Sequence, residues 1–238
     1  MDAIVIWPLD ASSLNAVFGQ AKAKGIPVIA IEITPDGSSK LGNVTAQIIY
    51  GRDEGAYVEA KTMSQILPAG SQVATVKFTV AVPTIDYYAE RAAYWAKQDG
   101  LDVVASVDNP SDDVPGGQQA AGPLLQNHPD VKGVLAYNDS SALGAAAAAL
   151  TVRHDLVAFG VNGEDQGLDG IRSGKYSLTI QPPVVEWGKE LVNAAYLAKA
   201  GKAIPTTVYP GLGSVITTEN ASGATGILDT INAATYGQ

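Results

Sequence analysis

Residues 128–150 read HPDVKGVLAYNDSSALGAAAAAL, and the succession of residue types in that stretch decides the architecture. VKGVLAY is a short, nearly continuous apolar run, which fits a strand covered on both faces, as in a parallel sheet. At Asn138-Asp139 it gives way to an Ala- and Gly-rich segment, and alanine has the highest helix propensity of any residue. A strand that passes through two polar residues into a helix is the repeating part of a βαβ unit.

The same alternation runs outward in both directions. Upstream, AIVIW leads to SSLNAVFGQAKAKG, then to IPVIAIE, a Gly/Pro/Ser loop and AQIIY. Helices DEGAYVEAKTMSQIL, TIDYYAERAAYWAKQDG and VPGGQQAAGPLLQNHPD then alternate with strands QVATVKFTV, LDVVASV and VKGVLAY. Downstream come LVAFGV, GEDQGLDGIRSG, KYSLTIQ and PVVEWGKELVNAAYLAKAG, before PTTVYPGLGSVITTEN and a small-residue tail. Strands separated by helical stretches predict an α/β fold on parallel sheets. Pro182-Pro183 interrupt the backbone after Ile180, as where a chain leaves one sheet and begins a helix elsewhere. No low-complexity tether divides the chain, so two lobes would be joined by several short connections.

Composition narrows the function. The 238 residues include no cysteine, which removes thiolate metal sites, thiol nucleophiles and disulfides, and leaves the redox compartment open. A net charge of −9 with 15 scattered Lys plus Arg argues against nucleic acid, whose phosphates require a concentrated cationic face. No apolar run is long enough to cross a bilayer, and the first residues do not read as a secretory signal. The Gly-x-Ser-x-Gly, Gly-Lys-Ser/Thr and Gly-x-Gly-x-x-Gly signatures of hydrolases, NTPases and dinucleotide enzymes are absent. No catalytic residue, metal ligand or cofactor is expected.

His128 and His154 each precede a strand, at the end of an open α/β sheet opposite to the one that takes ligands, and read as surface-loop residues. Asp108, Asp112 and Asp113 lie in VDNPSDDVPGG, which lacks calcium-loop spacing; a solvated loop is expected, with Asp112 or Asp113 capping the next helix. Glu164 and Asp165 open a helix, where the dipole favours negative charge. The residues just after strands are more informative: Trp7 and Asp10, Glu32, the Thr79 region, Val107 and Asp108, Asn138 and Asp139, Asn162, and Gln181. Amides and carboxylates exchange hydrogen bonds with hydroxyls while an aromatic face covers the apolar side of a ring, so this set suits a hydroxylated neutral ligand. Taken singly, Asn138 or Asn162 fits a cap or a turn equally well.

With these positions marked, nearly the whole chain resembles the ribose-type (type I) periplasmic sugar-binding proteins of ABC importers. The resemblance rests on HPDVKGVLAYNDSSALGAAAAAL, on DAIVIWPLDASSL with GIPVIAIE, on FGVNGEDQGLDGIRSGKYSLTIQ and on the late VITTEN, in that order. It implies two doubly wound parallel-sheet lobes that close on a ligand without catalysis. Residues 1–50 plus 182–210 would form one lobe, and residues 51–181 plus 211–238 the other. It implies a sugar or polyol ligand, importer membrane components as partners and an extracytoplasmic location. Asn138 matches the family's ligand-binding Asn, Asn162 falls where an Asp is usual, and Glu32 falls where an Asp grips sugar hydroxyls, although Ile33 replaces the Arg that follows. A second sugar-binding Arg falls at Tyr87 or Tyr88, and a late Gln aligns at Pro182, beside Gln181. Without the two arginines a ribose gripped in the usual way is not expected.

By the same resemblance the first two βα units of the N-terminal lobe are missing. Residues 3–7 would then form an exposed sheet edge, a site for self-association. Two other readings accompany this one: the effector domain of a lactose-repressor-type regulator, which would need a helix-turn-helix headpiece that is not visible, and a fragment that works only through self-association or a separate N-terminal piece.

Overall fold

The structure is a computed structural model that describes residues 1–34, 41–152 and 155–236. The Gly/Pro/Ser loop at residues 35–40 and His154 fall outside the described residues. In chain order the elements begin β1 (Ile4–Ile6), α1 (Ala11–Ala23), β2 (Val28–Ile33), β3 (Ala46–Ile49), α2 (Arg52–Ile66), β4 (Gln72–Phe78) and α3 (Pro83–Gln98). They continue with β5 (Asp102–Asn109), α4 (Val114–Asn127), β6 (Val131–Ala136), α5 (Asp139–Thr151), β7 (Val157–Val161) and α6 (Asp165–Arg172). The chain ends with β8 (Leu178–Gln181), α7 (Val184–Lys199), β9 (Thr207–Val208), β10 (Ser214–Thr217), a 3-10 turn (Ala221–Gly223) and α8 (Ile227–Tyr236). No described helix is long and apolar enough to cross a membrane.

The chain divides into two compact units. The smaller comprises Met1–Arg52, Val82–Thr84 and Pro183–Leu212. Its four-stranded sheet has the order β1-β2-β3-β9, every pairing parallel, with β1 at one edge. Phe18 and Ala21 of α1 pack with Val28 and Ala30 in one core cluster. Ala194 and Ala195 of α7 pack with Ile29 and Ala46 in another. Successive β2 residues thus serve opposite faces, which explains the unbroken apolar run of IPVIAIE.

The larger unit comprises Asp53–Ala81, Ile85–Pro182 and Gly213–Gln238. Its six-stranded sheet has the order β10-β8-β7-β6-β4-β5, parallel except for β10 against β8. From β4 the chain goes to one side to form β5 and returns to the other side to form β6. The carboxyl ends of β4 and β6 therefore flank a topological switch point, where open α/β sheets bind ligands. The Ala-rich α5 is buried along most of its length, and Gly117 of α4 and Gly144 of α5 let the two helix backbones meet. The small-residue tail forms α8, whose first N–H, on Ile227, donates to the Gly163 carbonyl at 3.2 Å.

Candidate functional site

In the larger unit the polar residues gather at the carboxyl ends of the strands. Asn138 leaves β6 in extended conformation and caps α5, its Oδ1 accepting the Ser141 N–H at 2.8 Å. Its Nδ2 donates to Asp112 Oδ1 at 2.7 Å, so one side chain both starts the helix and fixes a carboxylate. The Tyr137 hydroxyl donates to the same Asp112 oxygen. The Tyr137 ring stacks near-parallel on Phe78, with centroids 6.2 Å apart. Burial, reinforced by the Asp112 carboxylate, raises the Tyr137 pKa far above its ordinary value, so the phenol stays a donor.

Asp112 is held in place from below. The side chain of Asn109, fully buried at the end of β5, accepts the Ser111 and Asp112 N–H groups, each at 3.1 Å, and donates to Ser141 Oγ at 2.8 Å. Of the two aspartates expected as caps, Asp113 caps α4, accepting from Gly116 N at 2.7 Å. The Ser111 hydroxyl and then the Gly116 N–H lower the Asp113 pKa. Asp112 instead takes a left-handed backbone, φ 59°, uncommon outside glycine but easiest for Asn and Asp.

A second cluster follows β7. Asn162 has φ 112° and Gly163 φ 65°, and a Cβ on Gly163 would lie 2.5 Å from the Gln181 Cβ, so the turn requires glycine. Asn162 Nδ2 donates to Glu164 Oε1 at 3.2 Å, and Ser140 Oγ and Gln166 Nε2 donate to Glu164 Oε2 at 3.0 and 2.8 Å. Glu164 holds the N-cap position of α6 without a side-chain capping bond. It acts as a hub between β7 and α5, a role that helix-dipole reasoning does not supply. Gln181 Nε2 donates to Thr225 O at 2.8 Å.

Beneath both clusters lies Asp139, fully buried. Its Oδ1 accepts from Tyr176 and, at 2.6 Å, from Thr179, and its Oδ2 accepts the Glu164 N–H at 2.7 Å. Burial pushes its carboxyl up to about 7 from an ordinary value of 3.8, against the opposing pull of these hydrogen bonds.

Tyr88 is fully buried, with its hydroxyl on Glu59 Oε2, whereas Tyr87 is half-buried. In the smaller unit, Trp7 and Asp10 are exposed just beyond β1. Glu32 sits in β2 at a register shift against β3, and its side chain is outside the described residues. No group of acidic or histidine residues that could hold a metal occurs among the described residues.

The profile of the periplasmic binding protein domain matches residues 1–203. A ribose import binding protein of Bacillus subtilis (strain 168) is 29% identical over 211 residues, covering 87% of this chain and 66% of that protein. A xylitol-binding protein of Mycolicibacterium smegmatis is 24% identical over 229 residues, 89% of this chain and 61% of the relative. A D-apiose import binding protein of Actinobacillus succinogenes is 27% identical over 173 residues, 65% of this chain and 49% of the relative. The chain thus spans between about half and two thirds of these relatives. Among solved structures, an ABC transporter periplasmic solute-binding protein from Actinobacillus succinogenes 130z with bound D-allose superposes with a TM-score of 0.84 at 20% identity, covering 94% of this chain and 81% of that one. A solute-binding protein from Bacillus halodurans with bound myo-inositol gives 0.79 at 22% identity, covering 94% and 77%.

Proposed function

The chain belongs to the periplasmic binding protein domain family, and on that premise we propose that it is a non-catalytic binding protein for a sugar or polyol, delivered to an ABC importer outside the cytoplasm. The observation that carries this reading is the hydrogen-bonded set of amides and carboxylates at the carboxyl ends of β6 and β7, with the aromatic pair Phe78 and Tyr137 beside it. Hydroxyls both donate and accept, and a site of amides and carboxylates beside the half-buried Phe78 ring meets both needs. The ligand contacts proposed in the larger unit are Asn138, Asn162, Tyr87 and Gln181, and in the smaller unit Glu32, Trp7 and Asp10. The two lobes proposed for the binding protein are residues 1–50 with 182–210 and residues 51–181 with 211–238; the two compact units have similar bounds, except that Val82–Thr84 join the smaller one.

Thermal unfolding in a panel of D-ribose, D-allose, D-galactose, xylitol and myo-inositol tests the reading. A ligand at 100 times its Kd stabilises the folded state by about 2.7 kcal/mol, a rise of several degrees in Tm. At least one compound should produce that rise, and a flat panel would remove the sugar reading.

The proposal extends to self-association through β1. That strand is at an edge of its sheet, and Val5, Trp7 and Leu9 are exposed apolar residues on and beside it. Sedimentation velocity should show a dimer that grows with concentration and that Val5→Lys suppresses. A monomer at every concentration would rule this extension out.

A further inference from the structure

We propose that Glu164 is a positioning residue of this site: its carboxylate turns the Asn162 side chain so that the amide oxygen is left for the ligand, which must meet it with a hydrogen-bond donor such as a sugar or polyol hydroxyl. The inference rests on the sugar-binding reading above and deepens it by assigning the polarity of one contact.

The first ground is that the backbone around Asn162 is fixed. The Asn162 N–H donates to Ile180 O at 2.9 Å, the Gly163 N–H to Thr179 Oγ1 at 3.0 Å and the Glu164 N–H to Asp139 Oδ2 at 2.7 Å. With the Ile227 N–H on the Gly163 carbonyl at 3.2 Å, residues 162–164 are pinned to β8, α5 and α8. What these bonds do not decide is which end of the Asn162 amide faces outward, because a half-turn of the amide exchanges oxygen and nitrogen with almost no change of shape.

The second ground is that Glu164 decides it. An ionised carboxylate accepts and does not donate, so the amide beside it must present nitrogen, and Asn162 Nδ2 lies 3.2 Å from Glu164 Oε1. The carboxylate is itself held: its Oε2 accepts from Ser140 Oγ at 3.0 Å and from Gln166 Nε2 at 2.8 Å, and Gln166 Nε2 also reaches Ser140 Oγ at 2.7 Å. Asn162 Oδ1 accepts from none of the described residues, and the side chain is half-buried, so that oxygen remains for a donor from outside the protein.

The third ground is the contrast with Asn138, which follows the neighbouring strand β6. Its Oδ1 accepts the Ser141 N–H, which commits the oxygen to α5 and leaves nitrogen as its outward end. After adjacent strands, one asparagine thus offers oxygen and the other nitrogen. A hydroxyl, which donates and accepts, satisfies both, whereas an ether or carbonyl oxygen set against Asn162 finds only another acceptor.

Exchanging amide and carboxylate tests the assignment. Calorimetric titration of the full chain with D-ribose, D-allose, D-galactose, xylitol and myo-inositol identifies the compounds that bind, and the same compounds are then titrated into Asn162→Asp, Glu164→Gln and the double variant. Asn162→Asp sets two carboxylates against each other and should weaken binding about 10-fold or more. Glu164→Gln keeps partners for Ser140 and Gln166 and so should fold, but glutamine pairs with either end of the Asn162 amide, and affinity should fall about 3-fold to 10-fold. The double variant restores one carboxylate and one amide in exchanged places, with an oxygen of residue 162 again outward, and should bind within about 3-fold of the wild type. Losses that simply multiply in the double variant would overturn the inference, because a merely structural Glu164 gives no rescue. A wild-type affinity in Asn162→Asp or in Glu164→Gln would overturn it too; both results leave the sugar-binding reading standing. If no compound binds the wild-type chain, the inference and the reading beneath it fail together.

Discussion

Replacing Asp139 by alanine is expected to destabilise the larger unit by about 3–5 kcal/mol, because it strands three buried donors at once. The Tyr176 and Thr179 hydroxyls and the Glu164 N–H all converge on this carboxyl group. Asp139→Asn retains an acceptor and should cost less. The wild-type group also sets a pH dependence. Its carboxyl titrates near about 7 in the folded chain against an ordinary 3.8, so between those values the folded state holds a proton that the unfolded state has lost. Its contribution is therefore complete below about pH 4 and is lost as pH rises to about 7, a fall of up to about 4 kcal/mol. Urea unfolding followed by Trp95, the tryptophan of the larger unit, should show higher stability at pH 5 than at pH 7.5 in the wild type. In Asp139→Asn the difference should largely vanish. An equal pH dependence in both proteins would assign it to other groups.

Gly144→Ala is expected to cost about 2–3 kcal/mol although it raises helix propensity. A Cβ at this position would lie 2.4 Å from the Val114 carbonyl oxygen and 2.5 Å from the Gln118 nitrogen, both backbone atoms of α4 that cannot rotate aside. The helices must separate, and α5 carries Asn138 at its start while the loop into α4 carries Asp112. The 2.7 Å bond between those residues is exposed to the same displacement, so ligand affinity should fall with stability. Gly188 in α7 is the control: a Cβ there meets nothing within 4 Å, and Gly188→Ala should stabilise by about 0.5–1 kcal/mol. Urea midpoints of the two variants should move in opposite directions, and a neutral Gly144→Ala would show that the helices tolerate a wider separation.

The architecture was legible in sequence because parallel strands covered on both faces leave short uninterrupted apolar runs, as in VKGVLAY and IPVIAIE, and because the helices between them are amphipathic or Ala-rich. The last helix, Ile227–Tyr236, was not read because small residues dominate its approach and its large aliphatic residues, Ile227, Leu228 and Ile231, are confined to its first half. Of the candidate site, Asn138 and Asn162 could be found from their places after strands. Asp112 could not. Its part depends on a left-handed backbone and on a partner 25 positions away, and neither leaves a local pattern. Tyr87 and Tyr88 were separable in principle: Ile85, Tyr88, Ala92 and Ala96 are all buried, at the spacing of one helix face, which points Tyr88 inward. Glu164 was misleading for a different reason, since helix starts attract acidic residues whether or not those residues do anything else.

A polyhydroxylated ligand is expected to bind the larger unit at the carboxyl ends of its strands. Nitrogen-15 NMR of the chain, titrated with whichever compound of the sugar and polyol panel gives the largest thermal shift, tests this directly. The side-chain amides of Asn138 and Asn162 and the backbone N–H groups of Asp112 and Gly163 should shift together, while Gln72, Val131 and Val157 at the opposite strand ends stay in place. Saturable binding that instead moves those opposite ends, and leaves Asn138 and Asn162 unchanged, would contradict it.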